Sequence, residues 1–189
     1  MPGKNGKRRQ LVDLSIVCIA AIFVFTADFF VKQYFLKNPH FQSVPIIKNI
    51  VYISVVFNSG AAFGMLKGKT TFLVYVGLLF LLLFLVGFMN ERKKNVFFLI
   101  SCGLIMGGAL SNLYDRVFLG YVVDYIDLRV WPVFNISDSA ITIGACLLFL
   151  NEFRKTDDRQ KEDRQQKTDD RGHTIEEFSS VICILISVL

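Results

Sequence analysis

The chain has 189 residues, of which 53% are hydrophobic and 20% charged, and its mean hydropathy is +0.47. That is too apolar for a soluble domain of this size, and the apolar residues come in long blocks, so the composition selects one small polytopic membrane domain. The net charge of +5 sits in clusters beside those blocks, which suits membrane orientation rather than a nucleic-acid interface.

Residues 1–10 are polar and basic, with Lys4, Lys7, Arg8 and Arg9, and are expected to lie in the cytoplasm. An apolar block over 14–31 follows and predicts the first transmembrane helix, broken only by Ser15, Thr26 and Asp28. Its basic front also resembles a signal peptide. The block is long for that role, however, and no good A-x-A site follows it. The segment 41–64 is predicted to form a β-rich loop outside the membrane, because Ile50-Val51-Tyr52-Ile53-Ser54-Val55-Val56-Phe57 is β-branched and aromatic. Gly60 and Gly64 suit tight turns there.

Further spans are predicted over 72–89, 96–113 and 133–150. The last reaches spanning length only by including Asn135 and Asp138, which then lie near the membrane surface. Arg8 and Arg9, then Arg92, Lys93 and Lys94, then Arg154 and Lys155 all fall on one side of this layout. The positive-inside rule makes that side, and both termini, cytoplasmic. The expected fold is therefore an integral membrane, mainly α domain over 11–153, with four transmembrane helices and a small β element on the outer face. A charged tail over 154–189 is expected to be disordered or a frayed helix; Lys155-Thr156-Asp157-Asp158-Arg159 nearly recurs as Lys167-Thr168-Asp169-Asp170-Arg171. Its apolar end, 181–189, is too short to span and suits at most a peripheral membrane contact.

Cys18, Cys102, Cys146 and Cys183 lack CxxC or Cys/His spacing and read as small buried hydrophobes. His40 and His173 have no ligand-spaced partners, so no metal site is expected. The informative polar residues fall at one face of the predicted bilayer. Asp28 and Lys32 end span one, Asn58 is in the outer loop, and Asn112 and Arg116 end span three. Asp124 is in the second outer loop, and Asn135 and Asp138 open span four. Ionisable groups are costly near lipid and mark candidate functional sites. Each also has a plainer reading: an i,i+4 ion pair for Asp28 and Lys32, pairing of Arg116 with Asp115 or headgroups, and helix capping for Asp138. Asp127 competes with Asp124. Gly103 and Gly107 form a GxxxG expected to seat a close helix contact.

Five elements in register resemble the lipoprotein signal peptidases, the type II signal peptidases of bacteria. They are Asp28 with Lys32; Phe57-Asn58-Ser59-Gly60-Ala61-Ala62-Phe63; Gly107-Gly108-Ala109-Leu110-Ser111-Asn112-Leu113-Tyr114-Asp115-Arg116; Gly120-Tyr121-Val122-Val123-Asp124-Tyr125-Ile126-Asp127; and Phe134-Asn135-Ile136-Ser137-Asp138-Ser139. Ser111 stands where the family often has Gly, and Ser137 where Ala is usual; the tail has no counterpart in the pattern. The resemblance implies a membrane aspartyl endopeptidase that removes the signal peptide of a prolipoprotein before a diacylglyceryl-modified cysteine. It implies Asp124 and Asp138 as the catalytic dyad. Asn58, Gly60, Asn112, Arg116 and Asn135 would be substrate-binding, with Asp28, Lys32 and Asp115 supporting. It implies no cofactor, a lipidated prolipoprotein and membrane lipid as partners, and a place in the bacterial inner membrane with the site near the outer leaflet; a monomer is the default expectation, because the site can be built within one chain. Two other classes are a small proton-coupled transporter and a non-enzymatic or catalytically inactive homologue. The transporter predicts acids distributed through the membrane depth, whereas these acids lie at one face.

Overall fold

The computed structural model describes residues 4–38, 41–61, 65–91 and 94–165. Gly64, His40, His173, Cys183, Arg92, Lys93 and the tail beyond 165 lie outside the described residues. The elements in order are α1 (Lys4–Lys37), β1 (Val44–Ile47), β2 (Val51–Asn58), α2 (Thr70–Asn90), α3 (Val96–Phe118), β3 (Val122–Asp127) and α4 (Ile136–Gln165). All four helices contain stretches long and apolar enough to cross a bilayer. With 34 residues, α1 is about 50 Å long at ~1.5 Å per residue. It therefore outreaches a hydrocarbon core of about 30 Å.

The central helix is α3, which packs against the other three. Small residues permit this. A Cβ on Gly103 would lie 2.5 Å from Ala20 Cβ, and one on Gly107 would lie 2.5 Å from the Ala21 carbonyl oxygen. The GxxxG thus seats α3 against the backbone of α1. The next residue, Gly108, is turned to α4, where a Cβ would lie 2.5 Å from the Ser137 carbonyl oxygen. The bundle core holds Val17, Phe80, Phe84, Phe88, Phe98, Leu99, Ile105 and Leu148. Outward residues such as Phe23 and Met89 are apolar and exposed, as a lipid-facing surface requires. At its start, α3 is capped by Asn95, whose side chain accepts from Phe98 N at 2.8 Å and donates to Asn151 Oδ1 of α4 at 2.6 Å.

The strands form one antiparallel sheet in the order β1-β2-β3. The first two make a hairpin that turns through Asn49 at φ 66°. The sequence-predicted strand over 50–57 is β2. A third strand, β3, was not expected. Its residues are buried on both faces, so the apolar–polar alternation that advertises a half-buried strand is absent. Pairing sets Val56 opposite Asp124 and Asn58 opposite Val122. A second cluster of Phe35, Val123 and Tyr125 fastens the sheet to the end of α1.

The fourth helix begins at Ile136 rather than at 133. Residues before it are occupied otherwise: Phe134 exchanges backbone hydrogen bonds with Ile126, and Asn135 caps the helix. At its other end α4 continues to Gln165, so the first part of the tail is helical.

Close backbone contact at Gly107 generates a prediction. Gly107→Val forces a side chain into the Ala21 carbonyl and should cost about 1–3 kcal/mol of overpacking. The expected outcome is a lower thermal-unfolding midpoint in detergent, with Gly120→Ala, where an added Cβ would meet no neighbour within 4 Å, serving only as a control for backbone strain at φ 83°.

Candidate active site

At the sheet end of the bundle, side chains from all the central elements converge in one hydrogen-bonded network. It starts on α1. Asp28 is fully buried, and its two carboxylate oxygens take four donors. Oδ1 accepts from Tyr125 Oη at 2.9 Å, and Oδ2 accepts from Ser111 Oγ at 2.7 Å, Ser137 Oγ at 2.6 Å and Lys32 Nζ at 2.6 Å. Lys32 is 1% exposed, and it too is fully partnered: besides Asp28, it donates to Asp115 Oδ2 at 2.8 Å and to Asn112 Oδ1 at 3.1 Å. Three donors thus meet three acceptors, as burial of an ammonium demands.

Asn112 carries the network from Lys32 to α4. While its oxygen accepts from Lys32 and from Asn135 Nδ2, its amide nitrogen donates to Asp138 Oδ1 at 2.6 Å. Asn135 joins the two acids named in the sequence reading. Its Nδ2 donates to Asp124 Oδ1 at 2.8 Å, its backbone N–H donates to Asp138 Oδ2 at 3.2 Å, and its Oδ1 accepts from Asp138 N at 2.8 Å. The last two bonds make a reciprocal capping box at the start of α4. Asp138 therefore has both the plain role and the polar-network role.

Asp124 sits mid-strand on β3. Asn58, at the end of the neighbouring strand, donates to its Oδ2 at 3.0 Å, while Asn58 Oδ1 accepts from Gly60 N at 3.0 Å. Burial pushes the Asp124 carboxyl up to about 7; the nearby Asp138 charge adds to the rise, and the Asn58 bond, the Lys32 charge and the Asn135 bond oppose it. Burial and the neighbouring carboxylate thus both favour the protonated form of Asp124.

Asp115 binds Lys32 and accepts from Val123 N at 3.2 Å, which ties α3 to β3. Arg116 is 9% exposed and donates to the Gly60 carbonyl at 3.5 Å, but its Nε has no hydrogen-bond partner. Gly60 itself is needed bare, since a Cβ would lie 2.6 Å from the Met65 carbonyl oxygen. Asp127 stands apart from the network. Its carboxylate takes Arg129 N at 2.7 Å and pairs with the Arg129 guanidinium at 3.6 Å, and that guanidinium lies 3.7 Å over the Tyr52 ring. Among the described residues, no three His, Cys, Asp or Glu side chains are arranged to hold a metal ion.

Apart from the alternative Asp127, every site residue named from the sequence falls in or beside this network. Three participants were not named as such. Tyr125 both donates to Asp28 and accepts from Ile136 N at 3.2 Å, and the signal for it was its place one residue after Asp124. Ser111 and Ser137 were visible only as departures from a family pattern, yet both end on the same oxygen of Asp28.

Residues 20–154 match the family described as signal peptidase (SPase) II. The chain is 41% identical over 136 residues to the lipoprotein signal peptidase of Halothermothrix orenii, covering 71% of this chain and 93% of that protein. It is 39% identical over 124 residues to the lipoprotein signal peptidase of Pelotomaculum thermopropionicum, covering 66% and 82%. A solved bacterial membrane enzyme structure, obtained by the in meso method, superposes with a TM-score of 0.67 at 30% identity, covering 83% of this chain and 94% of that one. A second of the same description gives 0.64 at 33% identity, covering 71% and 90%.

Removing Lys32 tests the network. Lys32→Met leaves Asp28 and Asp115 facing each other without their shared cation, a loss of about 3–5 kcal/mol. The thermal midpoint in detergent should drop sharply, and Asp28→Asn combined with Lys32→Met should recover part of it. A single variant as stable as the wild type would count against the geometry.

Proposed function

The chain belongs to the signal peptidase II family, and on that premise we propose that it is an aspartic endopeptidase. It removes the signal peptide from prolipoproteins whose cysteine already carries a diacylglyceryl group, cutting just before that cysteine. The observation that carries this reading is the pair Asp124 and Asp138, both held by the one residue Asn135.

The chemistry follows from one proton shared by two acids. The ionised member takes a proton from water, and the water attacks the scissile carbonyl. The protonated member polarises that carbonyl and then protonates the departing amine. The pair acts as a unit, so neither acid is given a fixed role. Asn58, Asn112 and Asn135 hold the carboxyl groups in place, so little reorganisation is needed at the moment of reaction. Arg116, with its unpartnered Nε, and the backbone around Gly60 bind substrate carbonyl and amide groups. Asp28, Lys32 and Asp115 support the site from below.

The peptidase domain is 11–153. Both termini are cytoplasmic and the sheet end faces the outer leaflet, as the basic residues at the opposite end of the bundle favour. There the site reaches water while the substrate's lipid stays in the membrane. The site is built within one chain, which favours a monomer.

Two outcomes are expected. Asp124→Asn and Asp138→Asn each abolish cleavage of a diacylglyceryl-modified prolipoprotein by purified protein, with insertion and melting behaviour kept; near-normal turnover in either variant rejects the dyad. In the wild type, kcat/KM falls on the alkaline side with a midpoint near about 7, because rising pH removes the one proton the pair shares. It also falls in acid, where the second carboxylate becomes protonated. A profile flat from neutral to alkaline pH would contradict this assignment.

A further inference from the structure

Two routes lead from the buried ion pair on α1 to the paired acids. One runs from Lys32 to the Asn112 oxygen and leaves by the Asn112 amide nitrogen, which holds Asp138 Oδ1. The other starts at Asp28. Its Oδ2 takes the hydroxyls of Ser111 and Ser137, and its Oδ1 takes the hydroxyl proton of Tyr125 at 2.9 Å. A carboxylate accepts and does not donate, so this bond fixes the direction of the Tyr125 hydroxyl and leaves a lone pair of the same oxygen free. That lone pair receives the Ile136 N–H at 3.2 Å. Ile136 is the first residue of α4, a position whose N–H has no partner within the helix.

Tyr125 also acts through its backbone. Its N–H donates to the Phe134 carbonyl at 3.0 Å, and the neighbouring Ile126 N–H donates to the same oxygen at 2.7 Å. The residues on either side of Asn135 are therefore both fastened to Tyr125, Phe134 by the main chain and Ile136 by the hydroxyl. Asn135 is fully buried and touches both acids, Asp124 Oδ1 through its side chain and Asp138 Oδ2 through its N–H. A rotation of the backbone over 134–136 would change both bonds at once. Resting on the proposed function above, we infer that Tyr125 is a positioning residue for the pair: its hydroxyl, aimed by Asp28, fixes Ile136 and so holds Asn135 between Asp124 and Asp138. The ring has a separate part, packing 5.2 Å from the Phe35 ring, and phenylalanine would keep that contact.

Tyr125→Phe in the full chain isolates the hydroxyl. The Asn135 bond favours the ionised form of Asp124, so loosening it should let Asp124 keep its proton to higher pH. The charged groups facing Asp124 are Asp138 on α4, Lys32 on α1 and Arg116 on α3, and β2 contributes the uncharged Asn58; the substitution replaces none of them. Titration of the Asp124 carboxyl, followed by carbon-13 NMR in detergent, should move upward by about half a pH unit. An unmoved or lowered titration overturns the inference. A second measurement needs no variant. In the wild type the Ile136 amide should exchange with deuterium as slowly as that of Ser139, which is bonded to the Asn135 carbonyl. Fast exchange at Ile136 also overturns the inference.

Turnover separates positioning from stability. On a diacylglyceryl-modified prolipoprotein, Tyr125→Phe should lose about tenfold in kcat with KM nearly unchanged, since Arg116 and Gly60 are left as they were. Phe84→Leu, in the bundle core on α2, should lower the melting midpoint and leave kcat unchanged. An equal loss of kcat in both variants would make the effect a general loosening and reject the positioning role. Undiminished kcat in Tyr125→Phe rejects that role while leaving the peptidase reading intact. A raised Asp124 titration in Tyr125→Phe, with no cleavage by the wild type, does the reverse: the positioning stands and the peptidase reading fails.

Discussion

Burying an ammonium group in a membrane protein is the constraint on which the rest of this structure depends. Moving a charge out of water costs several kcal/mol even after relaxation. Lys32 meets that cost by finding one acceptor for each of its three protons. The acceptors come from α1 and α3, so the two helices must approach closely and in one register. Gly103 and Gly107 allow the approach, and Asn112 passes the order on to α4 by holding Asp138. Charge satisfaction, helix packing and the placement of the Asp138 carboxyl are one arrangement seen at three scales.

The sheet completes the site from the other side. It brings Asn58 and Asp124 together on neighbouring strands, and Val123 N–H binds Asp115 so that β3 cannot slide along α3. A shift of one residue would turn Asp124 away from Asn135 and put Val123 or Tyr125 in its place. The bulge in β2 between Ile53 and Val56 lies beside this pairing, where a local change of register lets Val56 meet Asp124.

Much of this was legible in the sequence because membrane helices advertise themselves by length and apolarity. The i,i+4 spacing of Asp28 and Lys32 already implied their ion pair, and the GxxxG implied a tight helix contact. Asn112 and Arg116 also share that spacing, yet they diverge: one reaches Asp138 and the other Gly60. Periodicity gives a common face and not a common partner. The strand β3 was hidden because burial on both faces removes alternation, and the strand's orientation was needed to see that Asp124 joins the network while Asp127 pairs with Arg129.

Ser111 and Ser137 lie on different helices but give their protons to the same oxygen, Asp28 Oδ2, which also holds Lys32. Contributions that converge on one atom are not independent, because each donor changes how much the next one is worth. The two serines are thus epistatic. The effect of replacing one serine with a residue that lacks the hydroxyl depends on whether the other is still present. Their substitutions are therefore expected to be non-additive, although the two sites are 26 positions apart.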